Sequence, residues 1–554
     1  MERISRYINS LATDAKKCFW LFFVVLVLLC LLVTVCNDPI NRGVDFHFHF
    51  RRFVSLINAL KDGNFPAYID YNALNGYGYL SNAFYPDLVL VPFSLIGLIA
   101  PPLFAYKFAL FTMSILCGVI TYKVIITIFK SPVAASVAGL LYTFCSYRLF
   151  DYFHRSSLGE LFTFTFVPIV LLGLYHIIRG DHRKWYIIAI GFSLMIYSHA
   201  IYSLLMFITV IVLLLINYKP LIKEPKRLFW LTIAGVVTLI ITSYYLLPMI
   251  EQMQSGVFRY SESWQTADKN GLSPHWIIAG MTTGPNYLYT FEPPRIGLLL
   301  TLVIALRIFV RGKTELLKMA DRGVIAGFIL LFISSSLFPW GIFPFNKLNF
   351  IQFPWRLLEF ISFLFAVSGA YYLSQLNIPV KRIFIISFVL VAYTSYLIVN
   401  DSKVYNEMPF PHLHSVEPSL ENHYLGSGRE YLPMKVKSAE ELEERGTIFS
   451  PNCAVNIKRN KGKLTFDTTM ECNGIVELPL IYYKGYKATL GDADIPVSES
   501  ENGLAQITVN QSGGVEVYYK GTAVQHISFW VSIAAMLALG IYIFLTKRIR
   551  NENH

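Results

Sequence analysis

Long apolar runs recur along almost the whole of this chain of 554 residues. A helix needs roughly 20 predominantly apolar residues to cross the hydrocarbon core of a bilayer. Only 15% of the residues are charged, whereas soluble domains carry about 25%. The sequence therefore predicts a mainly α, polytopic membrane protein with about 12 transmembrane helices, at approximately 18–36, 104–127, 132–149, 161–178, 185–200, 201–217, 228–250, 295–311, 322–338, 357–377, 383–399 and 527–546.

Lysine and arginine accumulate in alternate loops between these runs, on the side that also carries the N-terminus and the C-terminal tail. The positive-inside rule then places both ends of the chain in the cytoplasm. This rule also accounts for the net charge of +11, since no basic face or RNA motif suggests nucleic acid as a partner. The first run lacks a clear small-residue cleavage motif after it, so we expect a retained anchor.

The segment 400–526 differs from the apolar runs, because its residues 460–525 contain short alternating stretches separated by Gly and Asn turn signals. This pattern favours an antiparallel β-sandwich outside the membrane. Cys453 and Cys472 lie in this segment and can pair in an oxidising compartment, but their spacing alone does not establish it. We therefore expect a transmembrane domain, an extracytoplasmic β-rich domain, and a final span with a basic tail, at 1–399, 400–526 and 527–554.

The sequence Asp45-Phe-His47-Phe-His49 follows the first span, in the external loop 37–103. Ionisable side chains are costly at a lipid boundary, so such a cluster indicates a functional site. On a helix, Asp45 and His49 face the same way, whereas His47 points elsewhere. The pair can accept a proton from a hydroxyl or contribute to a divalent metal site, although two side chains do not establish a metal. The alternative is that Asp45 only caps a helix.

A second group of ionisable residues, Asp151, Arg155 and Glu160, lies in the next external loop and at the start of the following span. Asp151 or Glu160 is expected to face the cavity that holds Asp45, with Arg155 as a counter-charge or anion ligand. The alternative for Glu160 is a favourable position at the positive end of a helix dipole.

Two further segments carry candidate binding residues. His199 lies at a predicted external helix–helix turn, where a lone histidine is either structural or part of the site. Arg356 ends an aromatic-rich segment that also contains Gln352. A planar guanidinium there suits bidentate contact with a phosphate or pyrophosphate. An aromatic belt at the membrane interface is the alternative for this segment.

Several common chemistries are absent from the sequence. It contains no phosphate-binding Gly-rich loop followed by Lys-Ser/Thr, no Gly-x-Ser-x-Gly and no His-Glu-x-x-His. No cytoplasmic loop is long enough to form a nucleotide-binding domain. An enzyme built on this chain would therefore take its donor from the lipid or from the external side.

In their order along the chain, the short motifs resemble those of GT-C-type bacterial membrane glycosyltransferases. The nearest resemblance is to proteins labelled "6-pyruvoyl-tetrahydropterin synthase-related" and to their YfhO-like relatives. The first motif is Asp45 with His49 and Arg52, with His47 as an extra histidine inside it. The others are Gly63-Asn-Phe-Pro66, Gly76-Tyr-Gly78, Phe84-Tyr85-Pro86, Tyr147-Arg148, Arg155 with Gly159-Glu160, Ser198-His199, Gln352-Phe-Pro-Trp-Arg356 and the β-domain segment 478–488.

This resemblance implies a GT-C-like fold in the bacterial plasma membrane, with the active site on the extracytoplasmic side. It implies a polyprenyl-phosphate-linked sugar as donor and a cell-envelope glycan or polymer, such as teichoic acid or wall polysaccharide, as acceptor. Asp45 would be the base of an inverting transfer, and Arg155, Arg356 or a metal would stabilise the departing phosphate. The further expected site residues are His49 and Glu160 as catalytic residues and Asp151, His199, Gln352 and Tyr85 as substrate-binding residues.

A transporter or flippase for a lipid-linked glycan, which makes and breaks no bond, is the competing function. Such a protein places its polar residues near the middle of the membrane, within interrupted helices. The charged candidates here lie instead at the external boundary, which favours an enzyme. A non-catalytic assembly factor for envelope polymers is a third interpretation. The sequence names neither the sugar nor the metal requirement.

Overall fold

The computed structural model describes residues 14–37, 43–262, 265–282, 294–376, 378, 380–407, 429–437, 442, 454–469 and 474–552. The protein is mainly helical (67%), with a β-sheet region near its C-terminus. The α-helices are α1 Ala15–Cys36, α2 Phe46–Lys61, α3 Ser81–Phe84, α4 Val91–Ile96, α5 Pro102–Phe129, α6 Pro132–Thr143, α7 Ser146–Phe150, α8 Leu158–Ile178, α9 Tyr186–Ile196, α10 Ala200–Ile216, α11 Tyr218–Lys223, α12 Lys226–Ile241, α13 Ser243–Ser255, α14 Pro274–Thr282, α15 Leu298–Ala305, α16 Glu315–Ile333, α17 Leu358–Gln375, α18 Val380–Glu407 and α19 Ala523–Glu552.

Seven helical segments within the described residues are long and apolar enough to cross a membrane, as the predicted class of a membrane protein requires. They are Ala15–Cys36, Pro102–Phe129, Pro132–Arg155, Leu158–Ile178, Pro354–Gln375, Ile385–Val404 and Ala523–Arg548. An eighth is obtained if α12 and α13 are counted as one interrupted span. The remaining predicted spans coincide with shorter or more charged helices, such as α9, α10 and α16, so the full set of twelve remains a prediction.

The chain forms two compact units. The first contains residues 1–46, 107–238 and 264–416, and the second contains residues 47–106, 239–263 and 417–554. The candidate residues Asp45, Arg155 and Glu160 belong to the first unit. The β-strands, α2 and α19 belong to the second.

Helices of the first unit pack closely where glycines face a neighbour. In the packed pair α8 and α9, a Cβ atom added at Gly173 would lie 2.3 Å from the backbone nitrogen of Ile188. One added at Gly191 would lie 2.7 Å from the backbone nitrogen of Val170. Only glycine fits at these two positions, because interiors are already close-packed.

Pro168 lies inside α8 and cannot donate the backbone hydrogen bond that Phe164 would otherwise receive. The thiol of Cys117 on α5 instead donates to the carbonyl oxygen of Phe164, at 3.7 Å. A buried carbonyl needs a partner when no water reaches it. The proline is therefore accommodated within the first unit by a side chain of a neighbouring helix.

The β-strands of the second unit form two antiparallel sheets. One has five strands in the order β1-β2-β8-β4-β5 and the other has three in the order β3-β7-β6. Both sheets contribute side chains to one buried apolar cluster, such as Phe466 and Val515 of the first sheet and Val476 and Ile507 of the second. The strands are β1 Ala454–Asn460, β2 Lys463–Thr468, β3 Gly474–Ile481, β4 Tyr486–Leu490, β5 Ala493–Ile495, β6 Val497–Glu499, β7 Leu504–Val509 and β8 Gly513–Tyr519.

Alternation along these strands explains their formation. Leu464 and Phe466 of β2 are buried, while Lys463 and Thr465 between them are not. Such a period of two places every second side chain on the core face of the sheet. The predicted C-terminal β-rich region is confirmed, and the predicted sandwich remains a prediction. Cys453 and Cys472 lie outside the described residues, so their pairing is untested.

Candidate functional site

Backbone hydrogen bonds hold Asp45 beside the turn that ends at Arg155. The amide of Val44 donates to the carbonyl of His154 at 3.1 Å, and the amide of Asp45 donates to the carbonyl of Arg155 at 2.8 Å. A Cβ atom at Gly43 would lie 2.6 Å from the carbonyl oxygen of His154. Glycine at position 43 therefore permits the close approach that positions Asp45.

A single π-helical turn, Asp151–Arg155, presents Arg155 to two carboxylates. Its Nη2 atom lies 2.7 Å from Oδ2 of Asp45 and 3.3 Å from Oε1 of Glu160. The turn ends at Ser156, whose φ of 55° is left-handed. This π-turn continues α7 and ends that helical segment; π-helical turns are rare and appear frequently at functional sites.

Glu160 lies in the first turn of α8 and is fully buried. Its Oε1 atom lies 3.2 Å from Nε of Arg356 and 3.9 Å from Nε2 of His199. Its Oε2 atom accepts a hydrogen bond from the hydroxyl of Tyr202 at 2.9 Å. The helix dipole also favours an anion at this position. The predicted dipole role and the predicted place in a site are thus both compatible with its surroundings.

Aromatic rings surround the two guanidinium groups. Cζ of Arg155 lies 5.1 Å from the ring centre of Trp355, and Cζ of Arg356 lies 5.1 Å from that of Phe353. Nη1 of Arg356 donates to the carbonyl of Ile351 at 2.9 Å. Cation–π contacts of this kind stabilise a desolvated guanidinium. They hold both planar groups in place without neutralising their charge.

Asp151 is fully buried close to Glu160 and Arg155. The hydroxyl groups of Tyr147 and Tyr202 lie 2.6 Å apart, which extends the polar group beyond Glu160. We name this set of the first unit the carboxylate–arginine cluster; it consists of Asp45, Asp151, Arg155, Glu160, His199, Tyr202 and Arg356.

The side chains of the cluster become more buried away from Asp45. The exposed fraction is 21% for Asp45, 12% for Arg155 and 0% for Glu160. A carboxylate at the accessible end of the cluster can meet an acceptor, whereas Glu160 cannot without rearrangement. The arrangement can therefore combine one accessible base with two fixed guanidinium groups.

Glu359 was not a predicted site residue, yet it is fully buried in the same unit. Its Oε2 atom accepts a hydrogen bond from the hydroxyl of Thr163 at 3.0 Å. Thr163 lies one turn after Glu160 on α8. The sequence contains a signal for Glu359 as a site residue, because Glu359 follows Arg356 at the i, i+3 spacing that shares a helix face. A carboxylate within an apolar span is also a functional signal by itself.

His49 and Tyr85 lie in the second unit, where both contact Arg52. Nη1 of Arg52 lies 3.3 Å from Nδ1 of His49, and Cζ of Arg52 lies 4.0 Å from the ring centre of Tyr85. Nη2 of Arg52 also donates to the carbonyl of Pro86 at 2.7 Å. In this unit burial raises the pKa of Asp87 to about 7, while the charge of Arg52 acts to lower that pKa.

Gln352 and His47 complete the set of residues singled out in the sequence. Gln352 ends the 3₁₀ turn Phe345–Ile351 with a φ of 66°, in the left-handed region. His47 lies in α2 and is buried. Among the described residues, no group of three or more His, Cys, Asp or Glu is placed to hold a metal ion.

Comparison with known proteins shows a similarity to an uncharacterized protein. The chain is 24% identical over 359 residues to an uncharacterized protein of Lactococcus lactis subsp. cremoris (strain MG1363). The match covers 61% of this chain and 57% of that relative, so the chain spans little more than half of the relative's length. No protein-family model matches the chain.

Proposed function

We propose that the protein is a membrane glycosyltransferase of the GT-C type that moves a sugar from a polyprenyl-phosphate-linked donor to an extracytoplasmic cell-envelope glycan. The observation that carries this proposal is the carboxylate–arginine cluster. It combines a partly accessible carboxylate, Asp45, with two guanidinium groups that are held by aromatic rings. A base for the acceptor and cations for a phosphate leaving group are the groups that such a transfer requires.

In the resting site, Asp45 is paired with Arg155 at 2.7 Å. A donor phosphate that approaches Arg155 would compete with Asp45 for the same guanidinium, since arginine binds phosphate and carboxylate in the same bidentate manner. Asp45 would then be released as a base at the moment the donor is bound. Glu160 would keep Arg155 and Arg356 oriented throughout.

The transfer itself forms one bond and breaks one. The acceptor hydroxyl gives its proton to Asp45 while its oxygen attacks C1 of the sugar from the face opposite the phosphate. The bond between C1 and the phosphate oxygen breaks, and the phosphate keeps the electron pair. Arg155 and Arg356 would stabilise the negative charge that develops on this oxygen, and the configuration at C1 is inverted.

The remaining parts of the proposal concern the membrane. The predicted twelve spans, with both termini in the cytoplasm, would place the cluster on the outer side of the bacterial plasma membrane. The two β-sheets of residues 454–519 would then form an external β-sandwich. Teichoic acid and wall polysaccharide are the acceptors that we would test first.

The test is the substitution Asp45→Asn, with Asp494→Asn on β5 as a matched control whose partner is Lys487. We expect Asp45→Asn to reduce transfer from an undecaprenyl-phosphate sugar by about 10²- to 10⁴-fold, the usual contribution of a general base. Mass spectrometry of envelope glycans and of released undecaprenyl phosphate measures the loss. An unchanged glycan profile at a normal protein level would exclude Asp45 as the base.

A further inference from the structure

A cavity of about 120 Å³ lies within the first unit, away from the carboxylate–arginine cluster. Helices α5, α8, α10, α16 and α17 contribute to its wall. The wall is predominantly apolar and includes Phe129, Leu171, Leu174, Leu213, Phe363 and Val367. An apolar wall of this kind accepts hydrocarbon.

Two arginines line the same cavity. Nη1 of Arg179 lies 3.4 Å from Oε2 of Glu315, a side chain that is 66% exposed. The Nε atom of Arg179 is buried without a hydrogen-bond partner among the described residues. Nη1 of Arg322 donates to the neutral Oδ1 of Asn217 at 3.1 Å. These two guanidinium groups therefore have donor capacity for an anion.

The cavity and the cluster lie at opposite ends of α8. Glu160 is in the first turn of this helix, and Arg179 directly follows its last residue. At 1.5 Å per residue, the 19 residue-to-residue steps from Glu160 to Arg179 span about 28 Å. The hydrocarbon core of a bilayer is about 30 Å thick. With α8 spanning the bilayer, the arginine end of the cavity would lie at the level of the leaflet opposite to the cluster.

We propose that this cavity is a binding site for an anionic phospholipid of the cytoplasmic leaflet. Part of one acyl chain would lie against the apolar wall, and the phosphate would lie between Arg179 and Arg322. Charge complementarity selects this occupant, because planar guanidinium groups match phosphate oxygens and basic pockets between membrane helices bind such head groups. Glu315 would be displaced from Arg179, at little cost because a surface ion pair is weak.

This site is distinct from the donor site of the proposed transfer. It would hold a resident lipid at the other end of the first unit, and its occupation does not depend on whether the protein is an enzyme. Its test therefore uses binding alone.

The test is native mass spectrometry of the delipidated full chain in detergent, titrated with dioleoyl-phosphatidylglycerol or dioleoyl-phosphatidylcholine. Three proteins are compared with the wild type: the double variant Arg179→Gln/Arg322→Gln, the cavity variant Val367→Phe, and the control Arg183→Gln/Arg311→Gln. The control removes two exposed arginines from loops of the same unit, and it changes the net charge by the same amount as the double variant. Thermal melting establishes that each variant is folded.

We expect the wild type and the control to retain one phosphatidylglycerol, with at least tenfold preference over phosphatidylcholine. The double variant and Val367→Phe should each weaken this binding at least tenfold, and glycerol phosphate should not displace the lipid at equal concentration. Equal binding of the two lipids, control-like binding by the double variant, or displacement by glycerol phosphate would each overturn the proposal. If the double variant does not fold, the single variants Arg179→Gln and Arg322→Gln are titrated, each with an expected threefold loss.

Discussion

Glu160 is enclosed by side chains that carry positive charge or donate a hydrogen bond. Arg155, Arg356 and Tyr202 lie within 3.3 Å of its two oxygens, and its side chain is not exposed at all. A buried carboxylate with this many partners is stable only while the partners remain. The same holds in reverse for Arg356, whose buried charge is paired with Glu160, and in part for Arg155, which also pairs with Asp45.

The substitution Glu160→Gln is expected to lower the free energy of unfolding by about 3–5 kcal/mol, because it leaves the buried guanidinium of Arg356 without its carboxylate partner and removes one of the two carboxylates beside Arg155. Chemical denaturation of the purified protein in detergent measures this difference. Glu315→Gln, at a largely exposed position of α16, is the control and should leave the free energy of unfolding nearly unchanged. Equal effects of the two substitutions would contradict the central position of Glu160.

Asp87 provides a prediction on pH. Burial raises its pKa from 3.8 to about 7, against the opposing effect of Arg52. Between pH 4 and 7 the folded protein therefore holds a proton that the unfolded chain has released. Because the folded state binds more protons, the free energy of unfolding falls as pH rises through this window, by on the order of 4 kcal/mol, and levels off above pH 7.

The measurement is chemical denaturation at several pH values between 4 and 8, for the wild type and for Asp87→Asn. The asparagine cannot ionise, so the variant lacks this contribution. We expect the wild type to lose stability relative to the variant as pH rises from 4 to 7. Parallel curves for the two proteins would show that Asp87 ionises normally in the fold.

Asp45, Arg155 and Glu160 can be predicted as site residues from the sequence, because charged residues next to an apolar span are easily recognised and are costly near lipid. The sequence does not predict that these residues pair, because the pairing depends on how a π-turn and two backbone hydrogen bonds bring residue 45 to residue 155. Glu359 falls inside the apolar run 357–377, where one carboxylate changes the mean hydropathy little. Tyr202 is equally hard to predict as a site residue, since tyrosines are common at membrane interfaces.

At the scale of elements, the packing of α8 on α9 depends on two glycines. Backbone atoms of the facing helix occupy the space that a Cβ atom would need at Gly173 and Gly191. Backbone cannot move aside as a flexible side chain can. The pair therefore tolerates no larger residue at these positions without separation of the helices.

We expect Gly173→Ala to destabilise the protein by about 1–3 kcal/mol, the usual cost of overpacking. Gly235→Ala in α12 is the matched control, because nothing lies within 4 Å of its added Cβ. That substitution should instead be neutral or stabilising by up to about 1 kcal/mol, since alanine is the better helix former. Thermal melting of the two variants decides; destabilisation by both in equal measure would contradict close packing at Gly173.

The secondary structure is readable from the sequence where a single period dominates. Alternation in 463–467 and 514–519 predicts strands that become β2 and β8. Apolar length predicts helices, but it does not give their ends. The predicted span 185–200 ends as α9 at Ile196, because the chain turns before His199. Such a turn depends on tertiary packing rather than on composition.

For the whole molecule, the distribution of basic loops predicts which parts face the cytoplasm. We expect a cysteine at Asn502, an exposed residue of the β-region, to react with a membrane-impermeant thiol reagent on intact cells. A cysteine at Arg183, also exposed, should react only after permeabilisation. Both substitutions are made in a variant without the native cysteines, and mass spectrometry reads the labelling. Labelling of both positions from outside would contradict the topology.

Helix α8 has a consequence for the membrane in which the protein works. It holds Glu160 near one end and is followed by Arg179 at the other, and a hydrogen-bonded helix cannot shorten. Because most of α8 is buried inside the protein, its length sets the height of the helices packed around it. A thinner bilayer would leave apolar surface of the first unit in water, and a thicker one would draw a charged end of the unit into hydrocarbon, unless the first unit tilts. The length of α8 therefore determines which bilayer thickness the first unit matches. The chain length of the host's lipids becomes a variable that the protein must match.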